Sequence, residues 1–268
     1  MQPLQKSTLV DWFATPRGEY VLGWEQAQVG HAVEDAFGFS AMQVGLPEID
    51  FLAENRISYR FRAGLNKGCD LYADPVHLPI ASSSVDLVVL PHVLEFSDNP
   101  HQILREAERV LVPEGHLVVS GFNPISLWGL KRALGRRRRR DYPWCGDFIS
   151  LLRLRDWLKL LGFELNGGKF GCYAPPFGKA RSLHAWRFME SAGDRWWPIA
   201  GGTYVVRAIK RVQGMRLVTP NWKQATARLK VLSPAVARRE PRAAARSRVP
   251  PPALRLIIGG RENGAERG

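Results

Sequence analysis

At 268 residues with 45% apolar side chains, the chain suits one α/β domain with extensions, or two small domains, around a packed core. Three scattered cysteines, Cys69, Cys145 and Cys172, lack any CxxC spacing; this argues against a disulfide framework or a zinc site and favours a reducing compartment. The net charge of +13 is uneven, because residues 213–268 hold 12 Lys/Arg against 3 Asp/Glu and Arg136–Arg140 is an unbroken arginine run.

The elements follow in chain order. Val29, Ala32, Val33, Ala36 and Phe37 fall at helical spacing, with Gly38 as a stop. Short β-compatible runs come next at Ser40–Leu46, Arg56–Arg62 and Cys69–Ala73. Val85–Leu90 (VDLVVL) is nearly continuous apolar, the pattern of a central parallel strand buried on both faces. Pro100–Leu111 carries a helical stripe of Ile103, Leu104, Ala107, Val110 and Leu111. Pro113-Glu114-Gly115 then turns the chain into a strand at His116–Ser120, and a short helix spans Ile125–Leu134. Asp147 is the expected cap of a helix striped by Leu151, Leu154, Trp157, Leu158 and Leu161 and ended by Gly162. Phe163–Asn166 and Thr203–Ile209 supply the last two strands, separated by an aromatic-rich connection at Phe170–Trp197.

Strands alternating with helices predict an α/β fold: a mostly parallel, seven-stranded sheet with helices on both faces. Three regions are expected: an N-terminal extension at 1–24, the α/β domain at 25–212, and a basic tail at 213–268. The tail is too rich in Arg, Ala and Pro to order itself. The start has no apolar stretch behind a basic head, and runs such as Val85–Pro91 are too short to span a bilayer, so a soluble, cytoplasmic protein is expected. Ligands of such sheets sit beyond the carboxyl ends of the strands, which directs attention to Gly45, Asp74, Pro91-His92 and Gly121–Ser126.

These residues carry a family resemblance. Asp74, Leu78-Pro79-Ile80, Ala81–Ser84 and Val85-Asp86-Leu87-Val88 follow one another at close spacing. His92-Val93-Leu94-Glu95 comes next, then Leu104, Glu106, Arg109-Val110-Leu111, Pro113 and Gly115, and finally Trp157-Leu158 and Gly162-Phe163. The set resembles the class I S-adenosyl-L-methionine-dependent methyltransferases of type 11, with their Rossmann-like fold. Gly121–Arg132 (GFNPISLWGLKR) is similar to an uncharacterised YafS-like bacterial subgroup. The resemblance implies that S-adenosyl-L-methionine is the cofactor. It would be held by Gly45, Asp74, Pro75, Val76 and His92, with the Asp74 carboxylate accepting from the adenine amino group. An Asp before Pro75 is equally what an Asx turn uses.

The first half departs from the family pattern. Where the family has Gly-x-Gly-x-Gly, this chain has Val44-Gly45-Leu46-Pro47-Glu48, a degenerate loop with one glycine. No acidic residue ends the second strand; Asn66 stands nearby, and Glu48, Asp50 and Asp70 are the neighbouring carboxylates. Methyl transfer asks mainly for positioning, so no triad is expected. His92, Glu95 and Tyr173 are the candidates for a general base, and no metal site is expected.

Two functions are consistent with this sequence. One is methylation of an unidentified, anionic acceptor. The other is a catalytically degenerate methyltransferase-like protein that binds RNA or another partner through Arg136–Arg140 and the tail. A dehydrogenase is disfavoured by the absent glycines.

Overall fold

The computed structural model describes residues 8–135, 141–176 and 188–212. Two helices open it. The short α1 (Leu9–Phe13) is closed by a reciprocal cap between Thr8 and Asp11, and α2 (Pro16–Glu34) has Thr15 as its cap and Pro16 at its first turn. The strands are β1 (Ser40–Val44), β2 (Tyr59–Gly64), β3 (Leu71–Tyr72), β4 (Val85–Pro91), β5 (Leu111–Phe122), β6 (Phe163–Gly171) and β7 (Thr203–Lys210). The remaining helices are α3 (Pro100–Val110), α4 (Leu127–Leu134), α5 (Leu151–Leu160) and α6 (Phe188–Trp196). They build one seven-stranded sheet in the order β3-β2-β1-β4-β5-β7-β6, parallel except for β7, which runs antiparallel to both β5 and β6. The fold class read from the sequence is the one observed.

The continuous apolar run of β4 sits at the centre, between β1 and β5. Its side chains divide by parity between two cores. Val88 and Leu90 pack toward α3 and α5, alongside Leu104, Leu154 and Leu158. Leu87 and Val89 pack toward α1 and α2, alongside Phe13, Val21 and Val29. Residues before 25 therefore share the core of the α/β domain. The polar interruption in VDLVVL ties the entry of β1 to β4, because Asp86 Oδ2 accepts the Phe39 and Ser40 amides at 2.8 and 3.0 Å.

Some boundaries differ from those the periodicity predicts. The second strand begins at Tyr59 rather than Arg56, and α2 ends at Glu34, ahead of Gly38. Asp147 does not cap α5. The helix starts later, where the Ser150 hydroxyl accepts the Arg153 amide, and Asp147 instead pairs with Arg132 at 2.6 Å. Gly162, at φ +80°, follows the end of α5 in the left-handed region that favours glycine.

The crossovers of the first half are reduced. No α-helix lies between β1 and β2, and β2 joins β3 through residues 65–70 alone. Parallel neighbours ordinarily need a longer crossover. Here the short path suffices because β3 pairs only with the last two residues of β2, Ala63 with Leu71 and Gly64 with Tyr72. Removing the β1–β4 tie with Asp86→Ala should lower stability by about 1–3 kcal/mol in urea denaturation. An unchanged midpoint would show that those two amides need no partner.

Candidate functional site

A cavity of about 520 Å³ opens at the carboxyl ends of β1, β2 and β4, within the usual range of small-molecule sites. All five residues that the resemblance assigns to the cofactor line it, Gly45, Asp74, Pro75, Val76 and His92, as does Pro91, whereas Gly121–Ser126 do not. Its wall also takes Asn66 from just beyond the end of β2, Asp98, Tyr142, and Thr8, Leu9 and Val10 from the start of α1. The segment at 8–10 carries no motif, and only its position over the sheet brings it here. Glu48, Asp50 and Asp70 stay out of the cavity. Asp50 pairs with Arg62 at 3.3 Å and Asp70 accepts the Arg62 amide at 2.8 Å.

The loop after β1 is held without the missing glycines. The Gln43 side chain is buried; its Nε2 donates to the carbonyls of Gly45, Leu46 and Ile49 at 3.1, 2.9 and 2.8 Å, and its Oε1 accepts the Phe51 amide at 3.0 Å. One amide thus satisfies the backbone of a loop that has no helix to do so. Gly45 and Leu46 are both left-handed, at φ +78° and +48°. A Cβ at Gly45 would stand 3.1 Å from Val93 Cγ2, and one at Gly64 would stand 3.1 Å from Cys69 Sγ, so backbone forms this part of the wall.

Asp74 does form the turn that its sequence context allows. Its Oδ1 accepts the Val76 amide at 2.9 Å and its carbonyl accepts the His77 amide at 2.9 Å. The second carboxylate oxygen accepts no bond from the described residues. The turn and a ligand contact are therefore compatible uses of one side chain.

Beneath the cavity lies a buried ionic cluster. His92 follows β4 with φ +53°, an uncommon conformation for a residue with a Cβ. Its ring reaches both ways: Nε2 lies 2.9 Å from both Glu25 oxygens, and Nδ1 lies 2.7 Å from Glu95 Oε2. Glu95 Oε1 in turn accepts the Phe122 amide at the end of β5. With a carboxylate on each ring nitrogen, both nitrogens donate and the ring is an imidazolium. Burial alone would pull its pKa down, but Glu25 and Glu95 outweigh burial and push it up to about 10. Burial also raises the Glu95 carboxyl, with His92 pulling against it.

This geometry removes the candidate bases from direct chemistry. The His92 and Glu95 side chains are sealed from solvent, so His92 meets the cavity through its backbone. Tyr173 is buried elsewhere, its hydroxyl donating to the Pro198 carbonyl at 2.9 Å. Burial pushes the thiols of Cys69, Cys145 and Cys172 up, so none is a thiolate nucleophile at neutral pH. Among the described residues no group of His, Cys, Asp and Glu could hold a metal ion. Arg136–Arg140 and residues 213–268 lie outside the described residues, as does part of the aromatic connection, including Trp186.

The charge of the lining selects its ligand. Asp74 and Asp98 are there, and no Lys or Arg is among its described residues. Such a cavity favours a cation and disfavours a polyphosphate. The missing helix after β1 points the same way, since a dinucleotide would place its pyrophosphate on that helix start.

Comparison with known proteins bears on the family and the fold. The methyltransferase domain family model matches residues 54–119. The chain is similar to the uncharacterised protein YafS of Escherichia coli K12, 35% identical over 162 residues that make up 59% of this chain and 67% of that one. It is also similar to a malonyl-[acyl-carrier protein] O-methyltransferase of Methylovorus, 31% identical over 101 residues that make up 38% of this chain, but spans only 33% of that relative's length. In fold it matches a solved S-adenosylmethionine-dependent methyltransferase from Thermotoga maritima at a TM-score of 0.53 and 18% identity, covering 73% of this chain and 94% of that one.

The buried cluster sets a pH dependence. Folding raises the pKa of His92 from 6.5 to about 10, so its contribution is complete below pH 6.5 and is lost as pH rises through 10. Thermal unfolding midpoints should fall over that window. His92→Gln should cost about 3–5 kcal/mol at neutral pH, by leaving two buried carboxylates unpaired, and should flatten the profile. A wild-type midpoint that holds steady from about pH 7 to 10 would contradict the imidazolium.

Proposed function

This chain belongs to the class I S-adenosylmethionine-dependent methyltransferases of type 11, as a relative of YafS, and on that footing we propose how its own residues hold the cofactor. S-adenosyl-L-methionine supplies an electrophilic methyl group on a sulfonium. Asp74 offers its open carboxylate oxygen to the adenine amino group, and the backbone of Pro75 and Val76 borders the ring. The Asn66 amide, which can both donate and accept, stands where the family has a carboxylate for the ribose hydroxyls. The bare backbone at Gly45 admits the amino-acid end, and Asp74 and Asp98 together favour the cationic charge.

The carrying observation is the convergence of Gly45, Asp74, Pro75, Val76 and His92 on one cavity lined by carboxylates. The side chains there position and orient, which for an in-line displacement supplies most of the acceleration. We assign the acceptor's approach to the side where α1 and Tyr142 line the cavity. Tyr142 also lines a neighbouring cavity of about 500 Å³ walled by Trp12, Trp128 and Trp144 and bordered by Arg17, Lys131 and Asp141. That wall suits an apolar or planar acceptor bearing negative charge. The O-methyltransferase relative, whose name gives malonyl-[acyl-carrier protein] as its substrate, fits the anionic reading, because a malonyl group ends in a free carboxylate. Three free cysteines suit a reducing compartment, and we place the reaction in the cytoplasm.

Calorimetric titration with S-adenosylhomocysteine tests this assignment. Wild-type protein should bind, and Asp74→Ala should weaken binding by about 1–3 kcal/mol, the range for losing a polar partner. No heat at millimolar ligand would overturn the cofactor site. An unchanged affinity in Asp74→Ala would reduce Asp74 to its turn.

A further inference from the structure

The helix α4 faces the wrong way for a core helix. Trp128 and Gly129 are buried, whereas Leu127, Leu130 and Leu134, at spacing i, i+3 and i+7, share one face and stand in solvent; Leu134 is 73% exposed. Ile125, 60% exposed, extends the stripe ahead of the helix. The Asn123 amide joins it to a second exposed apolar segment, donating to the carbonyls of Ile125 at 3.4 Å and Ile199 at 2.8 Å. Trp197, just before it in the chain, is 63% exposed. Exposed apolar side chains are ordinary when scattered, but a contiguous stripe marks an interaction surface. None of these residues lines the cofactor cavity.

The stripe ends where charge begins. In sequence, Leu134 is followed by Gly135 and then by Arg136–Arg140; on α4 itself Lys131 donates to the Pro176 carbonyl and Arg132 pairs with Asp147, so the arginine run carries the charge argument. We infer that this face docks the protein on an anionic membrane surface, with the leucine stripe and Trp197 entering the headgroup boundary. The pairing of features selects the occupant. RNA would engage arginines and an indole but leave an aliphatic stripe in water. A second copy would cover the stripe but offers the arginine run no anionic partner, its own net charge being +13. An anionic bilayer accepts both, since apolar burial of about 5–10 Å and attraction to acidic lipid act together. Among the described residues no helix is long and apolar enough to cross a membrane, so attachment is to the surface.

Sedimentation of the full chain with vesicles tests the assignment. Phosphatidylcholine vesicles holding about a third phosphatidylglycerol should bind it at least about tenfold more tightly than phosphatidylcholine alone. Leu130→Gln with Leu134→Gln should leave the unfolding midpoint and S-adenosylhomocysteine affinity in place, yet weaken vesicle binding by about tenfold or more. Trp197→Ser, a separate variant, carries the same expectation. Wild-type vesicle binding by all three substitutions would assign attachment to the basic segments alone and overturn the inference. It would also be overturned by a chain that ignores vesicles while dimerising through the stripe in analytical ultracentrifugation, or while binding an RNA oligomer through it.

Discussion

One buried cation holds the site together. The imidazolium of His92 lies between two carboxylates from different parts of the chain, Glu25 in the middle of α2 and Glu95 in the turn after β4. Through Glu95 it also reaches the end of β5. Three charges without solvent cost a large desolvation, and such a cluster is weak evidence for stability as such. What it fixes is geometry. The backbone of His92 is left-handed and forms part of the cavity wall, a conformation that persists only where its surroundings over-determine it. The ring contacts of His92 with Phe122 and Phe13, at 4.4 and 5.8 Å, add apolar packing on the same side.

The other half of the wall has been rebuilt rather than lost. A glycine-rich loop followed by a helix normally brings backbone close to a ligand, and here both the later glycines and the helix are absent. Gln43 holds the loop in their place, through three carbonyls and one amide. Proline at 47 removes an N–H donor from that loop, and neither Glu48 nor Asp50 turns into the cavity. The cofactor site proposed for this chain therefore leans on Asp74, Asn66 and bare backbone. A cavity that presents carboxylates suits a sulfonium, and in the proposed binding mode that charge match stands in for part of the missing backbone donation.

Much of this is legible in the sequence. The strands, their order of burial and the carboxyl-end positions follow from periodicity, because VDLVVL and the α3 stripe have few other readings. The position of Asp74 follows from the residues after it. Glu25 is also visible in principle: Val21, Glu25, Val29 and Val33 lie four apart, so a carboxylate stands on a buried apolar stripe. A lone acidic residue on such a stripe has no meaning until its partner 67 residues away is known. His92 as a general base fails for the same reason, since spacing shows that it follows a strand but not which way its ring turns. Gln43 inside a strand, and α1 folding back over the cavity, carry no local signal at all. The short β2–β3 connection is legible as length, while its cause, a strand only two residues long, is a matter of tertiary pairing.

One ion cluster and one amide staple set the walls of the proposed cofactor site of a methyltransferase, and an exposed leucine stripe lies elsewhere. A crystal structure of the chain with S-adenosylhomocysteine probes that arrangement at every point. The adenine should lie against residues 74–76 with its amino group on the Asp74 carboxylate, the amino-acid end beside Gly45, and the Glu25–His92–Glu95 cluster intact beneath. Ligand density elsewhere, or a bound state in which His92 leaves its two glutamates, would contradict it.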